Sequence, residues 1–306
     1  MSDSAEPWAF WNGRFLPASQ AVVPIYDTGF VQGVTITEQL RTFGGSLYRL
    51  PEHLARFEQS LEVVGIDLGR SMRELEQTAK ELVARNHRLL HAEDDLGLAI
   101  FATPGPYPAL APSAEDEATI CLHTYPLPFS IWAEKYEQGC ALATTDVRQT
   151  PPECWPSRLK CRSRMHYYLA DRQAARLHLH ARALLLDERG FVTEASTANV
   201  FILKANRLVS PPLERVLPGI SLAAVKEFAA RLEIEFVHED LLPEDVAAAD
   251  EVLLTSTPWR LLPVCSFNGA AIATGKPGKM YRKLIAAWNE TAGFDLVAQA
   301  IRFAKR

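Results

Sequence analysis

A single acidic residue constrains this chain most. Glu194 lies in the segment Phe191–Leu203, preceded by Phe191-Val192-Thr193 and followed closely by Val200-Phe201-Ile202. A second apolar run, Ala183-Leu184-Leu185-Leu186, ends at the tight turn Asp187-Glu188-Arg189-Gly190. Short apolar runs bounded by turn residues read as buried strands, which places strands near 183–186, 192–195 and 199–203. A carboxylate inside an apolar strand is costly unless it is paired. A structural salt bridge would pair it, and so would a protonated pyridine nitrogen through a charge-assisted hydrogen bond.

Lys160 is the second signal. It ends the loop Glu153-Cys154-Trp155-Pro156-Ser157-Arg158-Leu159-Lys160, ahead of a helical run from about Ser163 to His178. Arg158, Arg162 and Arg164 flank it, and nearby cations depress a lysine's pKa. The neutral amine so favoured is the form that makes an imine. A basic helix start with acidic partners elsewhere would account for the same arginines.

Three further stretches could hold an anion. In Leu217-Pro218-Gly219-Ile220-Ser221 a helix is about to start, where backbone N–H groups bind phosphate and Gly219 allows close approach. Ser221 as an ordinary N-cap explains the stretch equally well. Thr255-Ser256-Thr257 follows a buried strand with small hydroxylated residues, a second possible cradle. Arg56, in His53-Leu54-Ala55-Arg56-Phe57, could offer a bidentate fork to a phosphate or be a surface arginine.

The organisation around these residues is regular. Asn12-Gly13 predicts a hairpin between Trp8 and Leu16, and Asp27–Gly33 reads as a glycine-punctuated loop. A strand is expected over Thr35–Phe43, then helices from Pro51 to Gly65 and from about Ser71 to Leu90, the latter opened by a Ser71/Glu74 capping box. Strands follow at 96–102 and 118–125, around a proline-rich loop from Thr103 to Pro112. The predicted division is a small N-terminal α/β domain over 1–125, a linker over 126–138 and a large domain over 139–306. The large domain alternates strands and helices, ending in a helix from near Lys279.

Composition excludes several classes. The formal charge of −5 gives no basic stripe for nucleic acid. No apolar run approaches the roughly 20 residues of a membrane span. The polar, acidic N-terminus does not resemble a signal peptide. Five scattered cysteines, with no metal-ligand spacing at Cys154 and Cys161, predict a reduced, cytoplasmic protein without a bound metal.

Taken in order, these motifs resemble the class IV aminotransferases, the fold-type IV pyridoxal-phosphate enzymes. That family includes branched-chain and D-amino acid aminotransferases and aminodeoxychorismate lyase. The resemblance runs from Trp11 to Val264. It rests on Asn12-Gly13, Asp27-Thr28-Gly29-Phe30, Glu38-Gln39-Leu40-Arg41, His53-Leu54-Ala55-Arg56, Lys160, Glu194 through Phe201, Leu217 through Ser221, and Thr255-Ser256-Thr257.

The resemblance implies an α/β (α+β) fold, a small α/β domain plus a larger pseudo-barrel domain with a cleft between them, in a homodimer. It implies an aminotransferase that moves an amino group between an amino acid or amine and a 2-keto acid; the alternative is a lyase of the aminodeoxychorismate lyase type. Lys160 would carry pyridoxal 5'-phosphate as a Schiff base and move the proton at the substrate α-carbon. Glu194 would hold the ring nitrogen, Leu217 would pack on the ring, and Asn199 would support the glutamate strand. Arg56, Gly219, Ile220, Ser221, Ser256 and Thr257 would hold the phosphate end. Gln32, Thr37, Arg41, Tyr107, Arg162 and Arg164 are candidates for the substrate. Two departures stand out. Met165 occupies the place of the usual tyrosine, with Tyr167 and Tyr168 beyond it. The strand at 96–102 has no arginine for a substrate carboxylate.

Overall fold

A computed structural model of the chain describes residues 6–113 and 117–305; the polar N-terminal residues 1–5 lie outside them. The described chain divides into two compact units, one of residues 1–127 with 159–163 and one of 128–158 with 164–306.

The first unit contains β1 (Trp8–Trp11), β2 (Arg14–Pro17), α1 (Thr28–Val31), β3 (Ile36–Phe43), β4 (Ser46–Leu47), α2 (Leu50–Val64), α3 (Met72–His87), β5 (Leu96–Thr103) and β6 (Thr119–Pro126). Its strands form an antiparallel sheet in the order β2-β1-β6-β5-β3-β4. The hairpin turns at Asn12 and Gly13, both at positive φ, as the two-residue turn demands. Where a loop was expected at 27–33 the chain makes the single turn α1, because the Asp27 side chain accepts the Gly29 N–H and caps it. The Ser71/Glu74 capping box is present at α3.

Alternation assigns the two faces of this sheet. Ile36, Leu40, Leu98, Ile100, Ala102 and Leu122 face α2 and α3, where they pack with Leu54, Phe57, Leu75 and Leu82. Thr37, Gln39, Arg41, Phe101, His123 and Tyr125 occupy the opposite face, since Thr37 pairs with Phe101, Gln39 with Ala99, Ala99 with His123, and Gly97 with both Arg41 and Tyr125.

The second unit contains α4 (Lys135–Gln138), β7 (Cys140–Thr144), α5 (Met165–Leu177), β8 (Ala181–Leu186), β9 (Val192–Ala195), β10 (Asn199–Lys204), β11 (Arg207–Ser210), α6 (Ile220–Arg231), β12 (Phe236–His238), α7 (Pro243–Ala247), β13 (Glu251–Ser256), β14 (Arg260–Phe267), β15 (Ala270–Ala271), α8 (Lys279–Ala292) and α9 (Leu296–Phe303). The main path of its sheet runs β12-β11-β10-β13-β14-β7-β8-β9. At its end β9 turns directly back into β10, with Ala195 and Ala198 exchanging backbone hydrogen bonds at 3.0 Å. Strands β10, β13, β14, β7, β8 and β9 therefore curl into a closed ring. Helix α5 lies on β7 and β8 through small residues, Ala170 and Ala174 against Ala143, Ala181 and Ala183. The short helices α7 and α9 were not expected, because neither is long enough to show a clear helical period. Among the described residues no helix is long and apolar enough to cross a membrane.

Phe57 is fully buried in the core under α2. Truncation to alanine is expected to cost about 3–5 kcal/mol through lost burial and a cavity. Denaturant unfolding checks this as a lower midpoint at unchanged slope.

Candidate active site

Lys160 is held by its backbone. Its N–H donates to the Ser60 hydroxyl at 3.3 Å, and its carbonyl accepts from Thr37 N–H at 2.9 Å. The Arg162 N–H donates to the Thr35 carbonyl at 2.8 Å, and Cys161 forms an antiparallel bridge with Ile36. Residues 160–162 thus meet the edge of β3 in a single β-bridge centred on Cys161. Cys161 shares the face of Ile36, and Leu159 packs into the same helix-facing core. Side chains alternate along a strand, so Lys160 and Arg162 fall on the other face, with Thr37 and Phe101.

The helix-facing side holds a buried charge cluster that the sequence reading missed. Glu38 is completely buried. It accepts Arg56 Nε at 2.7 Å on Oε1 and Arg56 Nη2 at 3.0 Å on Oε2, and lies 2.7 Å from His53 Nδ1. Burial pushes the Glu38 carboxyl up, but the charges and hydrogen bonds of Arg56 and His53 outweigh it and hold the group well below the usual carboxylate range. Arg56 is therefore no surface arginine. Its Nε–Nη2 edge holds Glu38 as a two-bond fork. One turn on, Ser60 donates to the Arg56 carbonyl at 3.0 Å while receiving Lys160 N–H. Glu38, Arg56, Ser60 and Lys160 form one hydrogen-bonded chain.

Glu194 lies in β9, 4% exposed. Its Oε1 accepts the Tyr167 hydroxyl at 2.5 Å and the Gln149 amide at 2.8 Å; its Oε2 accepts Leu217 N–H at 3.3 Å. These three donors are neutral, so they orient the carboxylate without neutralising it. Burial, followed by the charge of Glu194, raises the Tyr167 hydroxyl well above the ordinary tyrosine range, and it stays a donor. Met165 and Tyr168, by contrast, are 69% and 59% exposed.

Asn199, at the start of β10, donates its amide to the Leu217 carbonyl at 2.8 Å. Gly219 is glycine for a spatial reason, since a Cβ there would lie 2.0 Å from Asn199 Oδ1. Gly219, not Ser221, is the N-cap of α6. Ser221 is the second helical residue, and its hydroxyl receives Arg260 Nη1 at 3.4 Å. The fully buried Arg260 guanidinium lies 5.2 Å from the Trp288 ring. In the second expected cradle, Ser256 donates its hydroxyl to the Thr197 carbonyl at 3.0 Å. Phosphate suits this donor set: the first N–H groups of α6 point out of the helix end, next to Ser221 and Arg260.

The substrate candidates separate clearly. Arg41 is buried and ion-paired with Asp95 at 3.6 Å, so its role is structural. Thr37 is buried with its hydroxyl on the Ile100 carbonyl at 2.8 Å, also structural. Gln32 is exposed at the C-cap of α1. The Tyr107 N–H donates to the Tyr26 carbonyl at 2.8 Å. Arg164 is the N-cap residue of α5. Arg162 lies over the Phe101 ring at 5.8 Å.

Comparison with known proteins agrees with this geometry. Residues 35–267 match the family model described as amino-transferase class IV. The chain is 29% identical over 278 residues to a D-alanine aminotransferase of Bacillus licheniformis, covering 90% of this chain and 93% of that protein. It is 28% identical over 277 residues to a putative branched-chain-amino-acid aminotransferase of Methanocaldococcus jannaschii, covering 90% and 93%. The structure superposes on the crystal structure of the Escherichia coli branched-chain amino acid aminotransferase with a TM-score of 0.85 at 22% identity, covering 93% of this chain and 94% of that one. The expected fold-type IV architecture is thereby established.

The Glu38 carboxyl has a folded pKa below its ordinary value of 4.5. Its contribution is therefore complete above about pH 4.5 and is lost as the pH falls toward the folded value. Glu38→Gln is expected to cost about 3–5 kcal/mol at neutral pH by stranding a buried cation. Denaturant titrations across pH check this: the gap between the two proteins should narrow below about pH 4.5.

Proposed function

The chain belongs to the class IV aminotransferase family, and from that premise we propose that it moves an amino group between an amino acid and a 2-keto acid on pyridoxal 5'-phosphate. The observation that carries this reading is the treatment of two residues: a lysine at the edge of β3 pinned at both backbone groups, and a buried glutamate oriented by neutral donors. When bound, the cofactor supplies an aldehyde to take the amine and a protonated ring to draw electrons from the reacting carbon.

The chain's own residues do the rest. Lys160 supplies the amine that attaches the cofactor, and its nitrogen then moves the proton at the substrate α-carbon. Glu194 accepts the ring N–H, and its charge keeps that nitrogen protonated. Tyr167 and Gln149 position Glu194 through Oε1, and the Leu217 N–H does so through Oε2. Leu217 packs on the ring, and Asn199 ties the Leu217 loop to β10. The N–H groups of Ile220 and Ser221, beside Gly219, bind phosphate together with Ser256 and Thr257, and the resemblance gives Arg56 a phosphate-holding role as well.

A homodimer in the cytoplasm completes the proposal. A run of exposed apolar side chains supports self-association, with Val22, Ile25 and Phe30 at 67%, 80% and 72% exposure. Exposed apolar side chains of this kind suit burial against a second copy.

Half-reaction kinetics test the reading. The cofactor-loaded protein should take the amine of an amino acid and then pass it to pyruvate, with matching changes in visible absorbance. Lys160→Ala should slow this by roughly 10²–10⁴-fold or more, the usual range for losing a positioned acid–base group. Pyruvate release without any amino acceptor would point to a lyase instead.

Removing the Tyr167 hydroxyl should loosen cofactor binding. A hydrogen bond to a charged group contributes about 1.5–3 kcal/mol, so Tyr167→Phe is expected to weaken cofactor affinity by roughly tenfold or more. Equilibrium binding to the cofactor-free protein checks this.

A further inference from the structure

The sheet face shared by Lys160 and Arg162 is chemically unlike the other face of the same sheet. Phe101 forms its floor, with Trp11 edge-on at 6.2 Å and His123 edge-on at 6.4 Å. Tyr125 adjoins His123 at 6.3 Å and accepts the Gln39 amide on its hydroxyl at 2.6 Å. The Tyr125 ring lies across Gly97, where a Cβ would come within 2.1 Å of it. This face is therefore an ordered wall of rings and polar tips, and none of it belongs to the core packed by α2 and α3.

Arg162 brings a positive charge to this wall. Its guanidinium lies over Phe101. Its field is felt at Cys121, His123 and Tyr125. His123 is held below its ordinary pKa by burial and then by Arg162, so at neutral pH it adds a neutral imidazole rather than a second cation. The sequence left the cation for a substrate carboxylate open among Arg41, Arg162 and Arg164. Arg41 pairs with Asp95, and Arg164 stands at the N-cap position of α5 without capping it by its side chain. Arg162 alone among the three stands two residues from Lys160 on one extended segment, and so on the same side of it. Residues two apart in a strand rise about 6.6 Å. That is close enough for one small molecule to meet both side chains.

We propose that Arg162 is the residue that binds the substrate carboxylate, on the wall formed by Phe101, His123 and Tyr125, and that it selects amino acids and keto acids over simple amines. This rests on the reading of Lys160 as the amine that carries the cofactor. It explains how the chain manages without an arginine in β5: the guanidinium arrives from the lysine segment and stacks on Phe101 of that strand. The planar fork can hold a carboxylate by two parallel bonds, which a lysine cannot do.

The test uses the cofactor-loaded protein and two readouts. The first is calorimetric binding of propionate, an unreactive carboxylate, against propionamide, its neutral counterpart. Wild type should prefer propionate. Arg162→Ala should bind propionate roughly 10–100-fold more weakly, the range for losing a charge-assisted bond, and Arg162→Lys should recover part of the loss. The second is the half-reaction with alanine against 2-aminopropane, which replaces the carboxylate by a methyl group. Arg162→Ala should raise the alanine KM by a similar factor, slow the 2-aminopropane reaction by much less, and retain cofactor as wild type does. Equal propionate binding in wild type and Arg162→Ala would overturn the proposal, as would equal losses for alanine and 2-aminopropane. Propionate binding decides the matter even if no donor reacts, an outcome that would count against the aminotransferase reading alone.

Discussion

The placement of Lys160 and Arg162 depends on one β-bridge at the edge of β3. Residues 160–162 leave their sequence neighbours and pair with the start of β3, through the Cys161–Ile36 bridge and the backbone bonds from Thr37 and Arg162. A strand register is all-or-none, because a slip of one residue sends every side chain to the other face. Here it sends Leu159 and Cys161 toward the helices, and Lys160 and Arg162 toward the rings of Phe101, His123 and Tyr125. Ser60 reinforces the register by receiving Lys160 N–H from α2.

Among the described residues two glutamates are buried, Glu38 and Glu194, and their surroundings differ. Glu38 meets two side chains that can carry positive charge, Arg56 and His53, and fixes α2 to β3. Glu194 meets a tyrosine, an amide and a backbone N–H. A buried ion pair broken on one side strands a charge at a cost of several kcal/mol, which makes Glu38 a fastener. The neutral donors on Glu194 suit its proposed role as the partner of a protonated ring. The closed ring of strands in the second unit supplies the rigidity: β9 and β10 meet at Ala195 and Ala198, so Glu194 and Asn199 are set by one tight turn.

The sequence made much of this legible, for physical reasons. The hairpin, the capping box and the long amphipathic helix α2 announce themselves through local chemistry that tertiary packing does not override. Glu194 was found because a charge in an apolar run demands a partner. The same rule applied to Ile36, Glu38 and Leu40 would have found Glu38, but both faces of β3 are largely buried, which blurs the alternation. Gln149 was missed, and Tyr167 was named without its partner, because nothing local links residues 45 and 27 positions away from Glu194. Ser60 was missed likewise, being 100 residues from Lys160. Arg41 was read as available because its partner, Asp95, lies far along the chain.

The most direct test of the account is chemical trapping followed by peptide mapping. The protein loaded with pyridoxal 5'-phosphate is reduced with borohydride, digested, and its peptides are weighed. The account predicts one modified site, Lys160, with labelling lost when that residue is replaced. Labelling spread over several surface lysines, or concentrated at a lysine other than Lys160, would contradict it.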